Sequence, residues 1–170
     1  PERAFGTGNH PSTALCIEIL EHILTSSLAG EGDPAQSVLD VGTGSGILGI
    51  VAARLGAQRV LGLEIDPEAL EAAERNVERN GVVGIMSVSL TPLDQVEQTF
   101  DVVVANLTAS LIAHLADDLA GHVSGKGLLL LSGMLDEQME EVAKCFETHY
   151  FKMVKSWSKE EWRAILLRRE

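Results

Sequence analysis

The chain has 170 residues, enough for one domain with a sizeable core. Its 45% hydrophobic and 22% charged residues are ordinary for a globular protein, and it contains no apolar run of about 18 residues to cross a membrane. A formal net charge of −12 argues against tight nonspecific binding to nucleic acid, and is compatible with cationic partners or with simple solubility.

No basic segment leading into an apolar core stands at the start, so no secretion signal is visible. Cys16 and Cys145 lie far apart without C-x-x-C spacing, which argues against zinc and against a disulfide framework. A reducing cytoplasm is the expected compartment. Pro1 is followed almost at once by a motif, and the expectation is a single domain over 1–170 whose N-terminal neighbour is missing.

In chain order, Ala4 to Thr13 reads A-F-G-T-G-N-H-P-S-T, a shaped loop in which Pro11 suits a first helical turn. Thr13, Ile17, Leu20 and Leu24 then recur at helical spacing. Thr13 falls on the inward face near the helix start, where its hydroxyl could meet a ligand or cap the helix locally. His10 reads as a structural hydrogen-bonder. Thr25 to Gln36 is a polar connection.

The run Val38-Leu39-Asp40-Val41-Gly42-Thr43-Gly44-Ser45-Gly46-Ile47 is a strand, a tight turn and a helix start. Its glycines supply backbone angles that side chains resist and let a ligand approach bare backbone. The third glycine comes one residue too early for the dinucleotide fingerprint. G-x-G-x-G after Asp resembles the loop of S-adenosylmethionine (SAM) methyltransferases, where it seats the amino acid and ribose parts. Ile47 to Leu55 is expected as a helix with Ile47, Ile50, Val51 and Leu55 inward, closed by Gly56.

Arg59 to Glu64 reads as a second strand ending in a carboxylate, near the distance at which doubly wound folds place a ribose-binding acid. That charge would repel a 2′-phosphate and disfavours NADP. Asp66-Pro67 opens the next helix as N-cap and first residue, with Leu70, Ala73 and Val77 buried and Asn80-Gly81 ending it. Ile85 to Leu90 is a weaker third strand before a loop through Thr91, Pro92 and Asp94. Phe100 to Leu107 is a buried strand ending at the amide Asn106. Leu111, Ile112, Leu115 and Leu119 follow at helical spacing.

Ser124 to Gly127 is a turn into a fifth strand, Leu128 to Leu131, and Asp136 opens a helix carrying Met139, Val142, Ala143 and Phe146. Tyr150 to Trp157 and Trp162 to Arg168 have no helix between them and should form an antiparallel hairpin. Trp157 and Trp162 fit packing within it, or a partner surface. The expected architecture is α/β: a Rossmann-like three-layer sandwich, mostly parallel, with a C-terminal antiparallel hairpin. This is the layout of class I SAM-dependent methyltransferases.

Taken together, A-F-G-T-G-N-H-P-S-T, V-L-D-V-G-T-G-S-G-I-L, V-V-V-A-N-L and L-L-L-S-G-M-L resemble the bacterial protein-lysine methyltransferases that act on ribosomal protein L11. The resemblance covers essentially the whole chain. It implies SAM as cofactor, S-adenosylhomocysteine as product and no metal. It places SAM contacts on Thr13, Gly42, Glu64 and Asn106, with Asp40 and Gly44 in the same loop set, and gives Asn106 the task of orienting the acceptor amine. The partner implied is a protein, with no membrane and no direct nucleic-acid binding. Two departures stand out: Glu64 replaces the usual Asp, and Asn106-Leu107-Thr108 replaces Asn-Ile-Leu.

Other classes remain beside this reading. A base methyltransferase would carry Asn or Asp before Pro-Pro and an aromatic, and Asn106-Leu107-Thr108-Ala109 does not. Methylation of another protein or a small molecule, and a non-catalytic SAM-binding module, stay open. An NAD oxidoreductase is disfavoured by the glycine spacing and the terminal hairpin. Neither His10 nor His114 has a placed partner that would make it a dedicated base.

Overall fold

The structure, a computed structural model, describes residues 8–25 and 37–170. The start of the opening motif and the connection from 26 to 36 lie outside the described residues. Seven strands form one sheet: β1 (Ser37–Val41), β2 (Arg59–Leu63), β3 (Met86–Ser89), β4 (Phe100–Asn106), β5 (Val123–Leu135), β6 (Phe151–Lys159) and β7 (Trp162–Arg169). Their order is β3-β2-β1-β4-β5-β7-β6. The first five pair in parallel, and β7 runs antiparallel between β5 and β6. The expected class I architecture and its terminal hairpin are both present.

The central strands are apolar throughout because both faces are covered. Val38, Val102, Val104, Leu128, Leu130 and Leu166 face one layer, built on α1 (Pro11–Thr25), α2 (Ile47–Arg54) and Val77 of α3 (Pro67–Arg79). Their neighbours Leu39, Val103, Ala105, Leu129, Leu131 and Leu167 face the other, built on α4 (Ala109–His114), α5 (Ala116–Gly121) and α6 (Met139–Glu147). Successive side chains alternate across the sheet, so each of these strands serves two cores. Trp157 and Trp162 pack against the first layer, and the rings of His10 and Trp162 meet edge to face at 4.7 Å. Both tryptophans thus take part in packing, each still partly exposed.

Local signals act as the sequence leads one to expect at α3, where the Asp66 side chain accepts from Glu68 N at 2.9 Å and Pro67 is the first helical residue. Ala73 and Val77 are buried there, but Leu70 is only partly covered, and three further elements differ. In α2 Ile50 is buried as expected, together with Leu48, Ala52 and Ala53, while Ile47, Val51 and Leu55 are only partly covered. This helix is apolar all round, so spacing alone does not select its inward face. The helix expected through Leu111 to Leu119 is two short ones bent at Leu115, with Ile112 and Leu119 in the core and Leu111 exposed. Strand β5 extends beyond Leu128–Leu131 in both directions. The expected turn survives as an irregularity, where Phe100 pairs with Val123 and Val102 with Leu128.

Candidate functional site

Parallel strands point their C-terminal ends the same way, and the sheet order reverses between β1 and β4. A crevice opens there in such sheets. In this chain it is a cavity of about 550 Å³, lined by the ends of β1, β2 and β4, by Thr91 to Asp94 after β3, and by Leu107, Thr108, Leu111, Leu115 and Asp118. A smaller recess of about 50 Å³ adjoins it, lined by Thr13, Asp40, Gly42, Thr43, Gly44, Ile47, Leu48 and Asn106. Gly42, Gly44 and Asn106 line both.

The loop between β1 and α2 is shaped by its glycines. Gly42, Gly44 and Gly46 take φ of 71°, 55° and 84°, left-handed values that other residues rarely adopt. A Cβ on Gly42 would also lie 2.7 Å from Leu107 Cδ2. The loop is tied to its neighbours: Thr43 N donates to Leu63 O at 2.8 Å, and Gly44 N donates to Glu64 Oε2 at 2.9 Å. Glu64 Oε1 accepts from Ile65 N and Asp66 N at 2.8 and 3.2 Å. The carboxylate therefore stands fixed at the end of β2, on the cavity lining. Ile65 beside it is 91% exposed on the same lining.

Asp40 has a different place from Glu64. It is 1% exposed, and its Oδ2 accepts from Thr43 Oγ1 at 2.6 Å and from Gly49 N at 3.1 Å. It braces the loop against the first turn of α2. Burial raises its carboxyl from the ordinary 3.8 to about 6, against the lowering effect of the two hydrogen bonds and with a small addition from the Glu64 charge.

The start of α1 is pinned to the same edge of the sheet. Thr13 is buried, and its Oγ1 accepts from Asn106 Nδ2 at 3.1 Å. Ser132, opposite Asn106 in the register, donates its hydroxyl to Ser12 O at 3.3 Å and to Arg163 O at 3.1 Å. His10 Nδ1 lies 2.8 Å from Ser12 Oγ and accepts from Ser12 N at 3.3 Å, a cap on the helix start. The other face of the Asn106 amide is unlike these. Its Oδ1 is buried and finds no hydrogen-bond partner among the described residues.

Gly133 explains how Asn106 is held. Its φ is 91°, at a register shift in β5, and a Cβ there would overlap the Leu107 carbonyl oxygen and come within 3.1 Å of Asn106 Oδ1. The backbone of β5 thus stands where a side chain would otherwise displace the 106–107 turn.

The sequence-derived residues Thr13, Asp40, Gly42, Gly44, Glu64 and Asn106 all line one or both hollows. Ile65, Thr91 to Asp94, Leu107, Leu111, Leu115 and Asp118 complete the larger one. Leu111 and Leu115 carry the same helical spacing as core residues, so no signal distinguishes them. A buried, unsatisfied acceptor costs free energy unless something donates to it. The fixed carboxylate, the bare glycine backbone and the Asn106 amide line two adjoining hollows that can take an elongated ligand.

A family model described as Ribosomal protein L11 methyltransferase (PrmA) matches residues 1–170. The Ribosomal protein L11 methyltransferase of Citrifermentans bemidjiense is 42% identical over 169 residues, covering 99% of this chain and 54% of that protein. The chain spans about half the length of the curated relatives it matches. The crystal structure of ribosomal protein L11 methylase from Lactobacillus delbrueckii subsp. bulgaricus superposes with a TM-score of 0.83 at 32% identity, over 96% of this chain and 81% of that one. Magnesium protoporphyrin IX methyltransferase from Synechocystis PCC 6803, solved with bound SAM, shares the fold at a TM-score of 0.74 and 17% identity. That match covers 100% of this chain and 87% of the other.

Proposed function

We propose, because this chain belongs to the ribosomal protein L11 methyltransferase family, that it is the SAM-binding catalytic domain of a protein methyltransferase. Its substrate on this reading is a lysine or other amino group of ribosomal protein L11, and its compartment the cytoplasm. The observation that carries the reading is Asn106. This amide ends β4 at the wall shared by both hollows, held through Nδ2 by Thr13, with a buried Oδ1 that has no hydrogen-bond partner among the described residues.

When bound, SAM supplies a sulfonium-activated methyl group. The chain's own residues bind and align the reactants, which is the main requirement of an in-line displacement. Glu64 accepts hydrogen bonds from ribose hydroxyls, as acids at this position of doubly wound folds do. Gly42 and Gly44 offer bare backbone, and Asp40 keeps their loop in shape. Asn106 Oδ1 accepts from an amine N–H, and the Thr13 hydroxyl fixes which way the amide faces.

The acceptor must lose a proton before it attacks. A lysine amine with an ordinary pKa near 10.4 costs roughly 4 kcal/mol to deprotonate near pH 7.4. Leu107, Leu111 and Leu115 form an apolar wall that favours the neutral amine. Asp94 and Asp118 on the same lining draw a cationic chain toward the cavity.

The test uses the complete protein with labelled SAM and purified ribosomal protein L11, read by mass spectrometry. Label on L11 amino groups, lost in Asn106→Ala, is the expected result. Wild-type protein that binds SAM but leaves L11 unlabelled would refute the substrate assignment.

A further inference from the structure

The cavity wall formed by Thr91 to Asp94 has little of its own to hold it. Among residues 90–99 only Val96 is buried, and the regular structure is the single 3-10 turn Leu93–Gln95. A wall of this kind opens locally at small cost unless another element ties it down.

His122 supplies the tie. It caps the C-terminus of α5, is 8% exposed, and has its ring between two carbonyls of that segment. Nε2 lies 2.8 Å from Leu93 O, and Nδ1 lies 3.0 Å from Gln98 O. A carbonyl oxygen only accepts, so each contact is a hydrogen bond when the facing nitrogen carries a proton. The imidazolium serves both carbonyls and the neutral ring serves one. The backbone beneath the ring is fixed: His122 N donates to Asp118 O at 3.2 Å, and His122 O accepts from Phe100 N at 2.8 Å. The ring is thus anchored to α5 and β4, and it holds the 93–98 segment together with Val96 and Leu93, which pack on the second core layer.

The consequence reaches the ligand through strand order. Glu64 ends β2, and the chain leaving the adjacent β3 becomes the 91–94 wall. A base attached to a ribose on Glu64 therefore meets that wall. We propose that His122 is a positioning residue, which through the Leu93 carbonyl sets the wall receiving the adenosine end of the ligand. The ligand's identity rests on the SAM reading above; the tie itself does not.

Two substitutions separate the ring's contacts. In His122→Gln the amide nitrogen can stand near the place of Nε2 and keep Leu93; in His122→Asn it can stand near that of Nδ1 and keep Gln98. The complete protein is titrated with S-adenosylhomocysteine by calorimetry, and hydrogen exchange over 91–98 is followed without ligand. The Gln variant should bind within about twofold of wild type and the Asn variant about tenfold more weakly, the size of one lost hydrogen bond. Exchange over 91–96 should quicken in the Asn variant. A purely structural role would lower the melting temperature of both variants without separating their affinities. Equal affinities in the two variants, or unchanged exchange, overturn the proposal. If wild type binds no S-adenosylhomocysteine, the SAM reading fails and the exchange comparison alone decides for or against the tie.

Discussion

Replacing Asp40 with asparagine removes one buried charge while keeping a side-chain oxygen for Thr43 and Gly49. The Asp40 carboxyl is raised from 3.8 to about 6, chiefly by burial. A raised value means that the folded state holds the proton more tightly than the unfolded chain does. The stability it contributes is then complete below about pH 3.8 and is lost as pH rises through about 6. That rise corresponds to roughly 3 kcal/mol over the whole window, of which about 1–2 kcal/mol falls between pH 5 and 8. Urea unfolding of wild type and Asp40→Asn across that range reads the difference directly, because other titrating groups cancel between the two. Wild type should lose about 1–2 kcal/mol relative to the variant as pH rises. A difference that stays flat with pH, or one favouring wild type at pH 8 over pH 5, would refute the reasoning.

Other substitutions probe the rest of the site. Gly133→Ala puts a methyl group onto the Leu107 carbonyl at a left-handed φ, and should cost about 2–4 kcal/mol with loss of SAM binding; a melting temperature within a degree of wild type would contradict this. Thr13→Val removes the acceptor for Asn106 Nδ2 and should cost about 1–3 kcal/mol, together with methyl-transfer activity. Retained activity would show that the amide orients without Thr13. Phe146→Ala empties a fully buried position beside Phe151, and should cost about 3–5 kcal/mol in chemical denaturation with little change in SAM affinity at 25 °C. A comparable loss of affinity would mean that the second core layer controls the cavity.

What could be read from the sequence follows from physics that is local to it. The glycine loop is legible because left-handed backbone angles at Gly42, Gly44 and Gly46 demand that residue. Glu64 and Asn106 are legible because each breaks an apolar run at a strand end, and parallel strands bring such ends together. The Asp66-Pro67 helix start is legible for its capping chemistry. Asp40 looks from the sequence like one more acid beside the loop, and only burial and its bonds to Thr43 and Gly49 reveal a brace. Leu111 shares the spacing of core residues, so its place on the cavity lining carries no sequence signal. His122 has no sequence signal, because its two carbonyl partners lie 24 and 29 residues away.

The central claim is that the hollow at the β1–β4 switch binds SAM. Isothermal titration of the protein with SAM, beside NAD and with a Glu64→Ala control, tests it most directly. The account predicts saturable heat with SAM, none with NAD, and affinity in the control weaker by about tenfold or more, as expected for lost charge-assisted hydrogen bonds to the ribose. A folded protein that binds NAD and not SAM, or a Glu64→Ala variant that binds SAM as tightly as wild type, would contradict it.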